Sequence, residues 1–280
     1  MPELPEIETI RRSLKAAIAG RTVKTACTYS RGLRHPFQEE IGQKLAGFKV
    51  CRLKRRGKYL IFVNKGFSNN LVIHLGMSGR LVIVRGDAWE GPQKHDHFMM
   101  QLDSGDRVIL NDSRRFGTLF LTQDIENHPA MACLGPEPLD EIFDGKKLQD
   151  LFKTTTRPLK TVLMDQRVIA GLGNIYASEA LFYAGLSPFR PASSLTINEA
   201  EKLAYAIRQV LLGAIEAGGS SLRDYKKPDG EAGYFQHSFS VYDREGQRCP
   251  GCICEINKTG GIAKTSQSGR STYYCATKQH

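Results

Sequence analysis

The feature that most restricts what this 280-residue chain can become is a change of hydrophobic period near residue 130. Before it, apolar residues come in short runs broken by Gly, Asn and Asp: "RTVKTACTYS", "FKVCRLKRRGKYLIFVN", "NNLVIHLGMSGRLVIVRG", "HFMMQLDSGDRVILND" and "GTLFLT". Short strands at this density, with "LDSGDRV" reading as a hairpin, predict an antiparallel sandwich or barrel. A helix precedes them. Ile7, Ile10, Leu14 and Ile18 recur at helical spacing behind Pro5, which predicts a helix from about Pro5 to Ala19. After residue 130 the period is helical. "KKLQDLFKTT", "RPLKTVLMDQ" and "NIYASEALFYAG" are short helices, and "TINEAEKLAYAIRQVLLGAIEAGG" is a longer one, opened by Thr196 with Glu199 in a capping-box pattern and closed by Gly218-Gly219. The class is therefore α+β. The expected domains are a β-rich half over 1–132, a Pro- and Gly-containing hinge over 133–150, a helical domain over 151–240 and a small tail over 241–280.

The longest apolar run, Tyr59 to Val63, is far short of the roughly 18 residues that span a membrane. The first residues are acidic where a secretory leader is basic, so no leader is expected. Of the seven cysteines, Cys249, Cys252, Cys254 and Cys275 crowd the last 32 residues, a clustering that fits a metal site in a reducing compartment better than a disulfide framework. Net charge is +10, and "CRLKRRGKYL" and "NDSRRFG" concentrate the basic residues, the latter beside an aromatic. Such clusters suit a polyanion partner, although each alone also fits a solvated strand face or turn.

The chain opens "MPELPEIETI". Removal of Met1 is expected before so small a residue as Pro2, and it would leave a secondary amine. An α-amino group has a pKa of about 7.7–8, so much of it is unprotonated at neutral pH. Such an amine can attack an electrophilic carbon and form an iminium. Glu3 beside it could move protons, and Glu6, one turn on, could orient the amine. The plainer reading of the same string is a helix start, where Pro and Glu are both common.

Taken together, "PELPEIET", "GKYLIF", "HLGMSGRL", "NDSRRFG", "GLGNIYASEALF" and "QSGRSTYYC", in that order, resemble the signature segments of the bacterial formamidopyrimidine-DNA glycosylase family across nearly the whole chain. Leu4 in "PELPE" resembles this branch rather than the related endonuclease VIII branch, which usually has Gly there. The resemblance implies a bifunctional DNA glycosylase/AP lyase of base excision repair. Such an enzyme excises 8-oxoguanine and formamidopyrimidines from duplex DNA and nicks the strand by β,δ-elimination. It further implies a monomer in the bacterial cytoplasm, associated with the nucleoid and with no membrane partner.

Carried onto this sequence, Pro2 is the nucleophile at C1′, Glu3 the general acid/base and Glu6 their support. Lys58 and His74 bind phosphate near the lesion. Met77 fills the gap left by the extruded nucleotide, Arg114 reads the opposite cytosine and Phe116 buckles the stack. Gly173 and Asn174, at the helix–two-turn–helix, hold a flanking phosphate. Arg270, on a β-hairpin, grips the phosphates around the lesion. "SLRDYKKPDGEAGYFQHSFSVYDREG" resembles the loop that closes over the flipped base, with Ser221 to Tyr225 as the reading segment. Met77 and Phe116 read without the family as core residues. An endonuclease VIII-type enzyme for oxidised pyrimidines and a non-catalytic damaged-DNA-binding protein stay open as alternatives.

The family ends in a zinc finger of two C-x-x-C pairs. Here Cys249, Cys252 and Cys275 match, but the fourth position is Lys278, which cannot ligate zinc while protonated. His280 is the expected fourth donor, at a feasible C-x4-H spacing. Cys254 competes with it, at the cost of straining one small loop, and a metal-free finger is the third possibility.

Overall fold

The structure, a computed structural model, describes residues 2–64, 69–220, 228 and 233–280. The chain divides into two units, Met1–Ala132 with Ala217–Tyr234, and Cys133–Glu216 with Phe235–His280. The stretch 217–234, which the helical pattern assigned to the second domain, groups with the first unit.

The first unit starts with α1 (Leu4–Ile18). Its predicted stripe is its packed face: Ile7, Ile10, Leu14 and Ile18 are all buried, each contributing about 1.5–3 kcal/mol of apolar burial. Then follow β1 (Val23–Thr28), α2 (Ile41–Leu45), β2 (Val50–Arg56), β3 (Tyr59–Asn64), β4 (Asn70–His74), β5 (Gly79–Val84), β6 (Asp96–Leu102), β7 (Arg107–Asp112), β8 (Thr118–Thr122) and α3 (Pro129–Ala132). Among the described residues these strands form two four-stranded antiparallel sheets, ordered β1-β6-β7-β5 and β2-β3-β4-β8. Alternate residues of each strand face one core: Leu60 and Phe62, Leu71 and Ile73, Phe98, Met100 and Leu102, Val108 and Leu110, Leu119 and Leu121. This period of two fixes the register of both sheets, since a one-residue slip would turn every one of these side chains outward. The architecture is the sandwich with an N-terminal helix that the sequence predicts. The helix α2 is an addition, too short to give a periodic signal.

Besides the β1–β2 connection through α2, two turns among the described residues pass between the sheets. The turn 75–78 leads from β4 to β5, and the turn 113–117 leads from β7 back to β8. Met77 lies in the first, Arg114 and Phe116 in the second.

The second unit comprises α4 (Gly145–Phe152), α5 (Leu159–Leu163), α6 (Asn174–Ala184), α7 (Ile197–Glu216), α8 (Ile256–Thr259), β9 (Ala263–Gln267) and β10 (Arg270–Tyr274). Helix α4 begins inside the stretch expected to be hinge, because Asp144 caps it by accepting the Lys147 N–H at 2.7 Å. Residues 175–182 of α6 are buried without a break, as befits a helix packed from several sides by α5, α7 and β10. Strands β9 and β10 form the expected hairpin. Its turn residues, Ser268 and Gly269, both have positive φ (51° and 72°), the backbone a tight two-residue hairpin needs. No helix among the described residues is long and apolar enough to cross a membrane.

Candidate active site and nucleic-acid interface

The helix α1 begins at a buried point. Pro2, Glu3 and Glu6 are all buried, Glu3 and Glu6 each to 2% exposure. Glu6 reaches back so that its Oε2 accepts the Glu3 N–H at 2.8 Å, the acidic half of a capping box. Its Oε1 accepts the Ser220 N–H at 2.9 Å and the Ser220 hydroxyl at 3.1 Å. Both oxygens of Glu6 are thus engaged by donors, a holding role for the backbone at residues 2 and 3. Ser220 was not singled out in the sequence; nothing in "GGSSL" marks it as the partner of a carboxylate over two hundred residues away.

Two residues further along α1, Glu8 ties this end of the helix to β2. Arg11 and Arg12 bond to it at 2.8 and 2.9 Å, with Arg55 at 3.5 Å. Burial alone would raise the Glu8 carboxyl, but the bonds from Arg11 and Arg12 prevail and hold it at about 2. The same β2 runs into the two-residue turn Gly57-Lys58. Lys58 is 5% exposed although it sits at a hairpin tip. His74, at the end of β4, packs against Tyr59, the residue after Lys58, with ring centroids 4.7 Å apart and planes tilted by 49°. Burial, with the Lys58 and Arg34 charges, lowers the His74 pKa to about 4. Its Nδ1 accepts the Gly76 N–H at 3.0 Å. The proton of the neutral ring is therefore on Nε2, where it can be donated to an acceptor such as a phosphate oxygen.

The two crossover turns lie against each other. A Cβ on Gly76 would fall 2.4–2.5 Å from the Phe116 carbonyl group, so only glycine allows the approach. Phe116 is 42% exposed, a large ring held out in solvent, and the Arg114 guanidinium sits 5.0 Å from its centroid. Met77 is half-buried. Neither Phe116 nor Met77 belongs to the hydrophobic core cluster, so the core-packing reading of both is not what the structure shows.

In the second unit, Gly173 is the N-cap of α6 and Asn174 its first residue. The Asn174 Nδ2 donates to the Ser271 carbonyl at 3.0 Å. The same carbonyl accepts from Lys160 Nζ at 2.7 Å, and Lys160, 1% exposed, also donates to Thr272 Oγ1 at 2.8 Å. Glu179, buried in α6, accepts the N–H groups of Ser240, Val241 and Tyr242 at 2.8–2.9 Å. Arg270, exposed at the head of β10, thus stands beside a helix N-terminus on a hairpin fixed by buried polar bonds. Lys160 and Glu179 escaped the sequence reading, although a lysine inside the apolar string "PLKTVL" was a usable sign.

The tail corrects one expectation. Cys249, Cys252, Cys254 and Cys275 bring their sulfurs within 4.8 Å of one another, and His280 is not among them. The separations are 3.1 Å for Cys249–Cys254, 3.4 Å for Cys249–Cys275, 3.7 Å for Cys252–Cys275 and 4.0 Å for Cys254–Cys275. Four thiolates at about 2.3 Å from one ion form a tetrahedron with edges of about 3.8 Å, so the donor set fits a metal. His280 is exposed and tied elsewhere by its backbone: its N–H donates to the Gly185 carbonyl at 3.1 Å and its carbonyl accepts the Ser187 N–H at 2.9 Å. Gln279 reinforces that path by accepting the Cys275 N–H at 2.8 Å and donating to the Leu186 carbonyl at 2.9 Å. Lys278, at the family's fourth ligand position, lies 4.0 Å from the Phe182 ring centroid instead. Between Cys249 and Cys252 the chain turns at Gly251, whose φ is +63°. Ser221 to Tyr225, the segment expected to read the lesion, lies outside the described residues.

The family model for the formamidopyrimidine-DNA glycosylase N-terminal domain matches residues 1–119, and that for its H2TH domain matches residues 134–226. A formamidopyrimidine-DNA glycosylase of Rhodospirillum centenum is 49% identical over 290 residues, covering 100% of each chain. The crystal structure of the MutM (Fpg) protein of Thermus thermophilus is similar with a TM-score of 0.85 at 40% identity, covering 99% of this chain and 98% of that one. A Lactococcus lactis Fpg variant in complex with Fapy-dG-containing DNA matches with a TM-score of 0.87 at 34% identity, covering 99% of both chains. With an N-terminal sandwich, a helical second unit and a four-cysteine tail matched along its whole length, this chain belongs to the formamidopyrimidine-DNA glycosylase family, DNA glycosylases of DNA repair.

Proposed function

We propose that this enzyme excises oxidised purines, 8-oxoguanine and formamidopyrimidines, from duplex DNA and then cleaves the strand as an AP lyase, with Pro2 as the nucleophile. The observation that carries the reading is the start of α1: Pro2 and Glu3 buried side by side, their backbone held by a Glu6 carboxylate whose two oxygens are both engaged. Once Met1 is removed, the Pro2 nitrogen attacks C1′ of the damaged nucleotide. The glycosidic electron pair leaves with the base, which takes up a proton. Ring opening, with Glu3 donating a proton to O4′, leaves an iminium between Pro2 and the sugar. Loss of a C2′ proton expels the 3′ phosphate, and a second elimination expels the 5′ phosphate. Glu6 is a holding group in this scheme, since its oxygens are already engaged by Glu3 and Ser220.

Lys58 and the Nε2–H of His74 serve as phosphate donors beside this centre. Met77 enters the space left by the extruded nucleotide, Phe116 wedges the neighbouring step and Arg114 addresses the widowed base. In the second unit, the α6 N-terminus at Gly173 and Asn174, with Arg270, binds backbone phosphate. The buried Lys160 ammonium adds positive charge beneath the same hairpin. The tail holds zinc through Cys249, Cys252, Cys254 and Cys275. Zinc in an all-thiolate set supplies folding energy and no chemistry, so its role is to fix the hairpin that presents Arg270.

The test is excision from an 8-oxoguanine·cytosine duplex by the Pro2→Gly variant. Excision should fall by orders of magnitude while DNA affinity, which phosphate contacts dominate, changes little. Unchanged turnover would remove Pro2 from the mechanism.

A further inference from the structure

One buried carboxylate takes no part in the scheme above. Asp112 ends β7 with its side chain 0% exposed. Burying a carboxylate is costly unless donors replace its water. Here the donors come from both crossover turns. Ser78, next to Met77, gives its hydroxyl to Oδ1 at 2.6 Å. Gly117, next to Phe116, gives its N–H to Oδ2 at 2.8 Å. The Arg114 N–H approaches both Oδ1 (3.3 Å) and Ser78 Oγ (3.2 Å). The Asp112 backbone is itself braced, for its carbonyl accepts from His97 Nε2 at 2.9 Å, and His97 Nδ1 faces Ser30 Oγ at 3.0 Å.

The turn that this carboxylate holds is strained. Arg115, between Arg114 and Phe116, has φ of 55°, a left-handed conformation that is unfavourable for a side-chain-bearing residue. Strain of this kind persists only where the surroundings over-determine it. Gly76 and Gly117 let the turns close on each other, but close approach alone does not fix the direction in which Met77, Arg114 and Phe116 project. Asp112 does, since its carboxylate is bonded to both turns at once.

We propose that Asp112 is a positioning residue that locks the Met77 turn and the Arg114–Phe116 turn into one rigid wedge, and that its work is done in nucleotide extrusion rather than in DNA affinity. This rests on the reading of Met77, Arg114 and Phe116 as the wedge. With the carboxylate changed to an amide, Gly117 or the Ser78–Arg114 pair loses its acceptor, and the two turns can move independently.

The experiment compares Asp112→Asn with Met77→Ala and Phe116→Ala in single-turnover assays on an 8-oxoguanine·cytosine duplex and on a duplex carrying a preformed abasic site, which has no base to extrude. 2-Aminopurine beside the lesion reports unstacking by stopped flow. Excision by Asp112→Asn should fall about 30-fold, equivalent to ~2 kcal/mol at 1.4 kcal/mol per tenfold. That loss should exceed its loss of abasic-site incision at least tenfold, and the 2-aminopurine phase should slow in parallel. Met77→Ala and Phe116→Ala should show the same split. If they do and Asp112→Asn does not, the Asp112 proposal is overturned; if they do not, the wedge reading itself fails. Should Asp112→Asn not fold, Ser78→Ala removes one bond to the same carboxylate. It should then give a smaller split in the same direction, and equal losses on both substrates would overturn the proposal.

Discussion

Replacing Cys254 with Ser should cost the tail its metal, whereas replacing His280 with Ala should not. The magnitude follows from the cluster. Its sulfur separations, 3.1–4.0 Å for the four close pairs, bracket the ~3.8 Å edge of a zinc–thiolate tetrahedron, a geometry that suits Cys254 as the fourth donor. A structural zinc site is worth roughly 10–16 kcal/mol, so one donor in four carries about 3 kcal/mol, or ~100-fold in metal affinity. The surrounding core cannot compensate. Its buried members are Phe182, Val241, Ile262, Tyr273 and three of the cysteines themselves. Metal content by mass spectrometry under chelator competition gives the affinity, and cobalt substitution gives the donor set independently of activity. The wild-type and His280→Ala spectra should both be those of a tetrahedral all-thiolate site, and Cys254→Ser should lose thiolate charge-transfer intensity. A His280→Ala variant that sheds metal while Cys254→Ser retains it would refute the assignment.

Three further outcomes follow from the bonding described. Glu6→Gln offers one acceptor oxygen to Glu3 and Ser220 where there were two; charge-assisted bonds of this kind are worth about 1.5–3 kcal/mol each, so excision should drop at least tenfold, and a wild-type rate would show that Glu6 does not hold the site. Lys160→Met removes the ammonium that grips Ser271 and Thr272; DNA binding should weaken for every sequence alike, and a lesion-specific loss would contradict a role through Arg270. His74 should titrate at about 4 in a proton NMR experiment rather than near the ordinary value of about 6.5. Because its folded pKa is depressed, the stability it contributes is complete above about pH 6.5 and is lost as pH falls towards 4; a His74→Gln variant should lack that part of the acid dependence, and an unchanged profile would refute it.

Much of this molecule was legible in its sequence because the signals were local. The short apolar runs "LVIH" and "HFMMQL", bounded by Gly, Asn and Asp, are strands whose alternate residues enter one core, and the stripe Ile7, Ile10, Leu14, Ile18 buries as a helix face must. The start "PELPE" likewise reads as a helix entrance, and the hairpin at "QSGR", expected only from the family resemblance, is present. What escaped was non-local. Ser220 matters through Glu6 and Lys160 through Ser271, bonds across 214 and 111 residues that leave no pattern in a string. Asp112 stood inside a quoted motif, but its neighbours Arg114 and Phe116 carry the obvious chemistry, while its own role depends on Ser78 in another turn. The fourth sulfur, Cys254, stood only as the competitor of His280 for a related reason. Spacing alone favoured His280, and only the backbone path of residues 279–280 onto 185–187 shows why that side chain points elsewhere.

The central claim is that the Pro2 nitrogen becomes bonded to the sugar of the damaged nucleotide. Borohydride added to the enzyme turning over an 8-oxoguanine·cytosine duplex should trap one covalent adduct, and peptide mapping by mass spectrometry should place it on the Pro2-terminated peptide, with Met1 absent. An adduct on Lys58 or any other lysine, or normal excision by protein that keeps Met1, would contradict it.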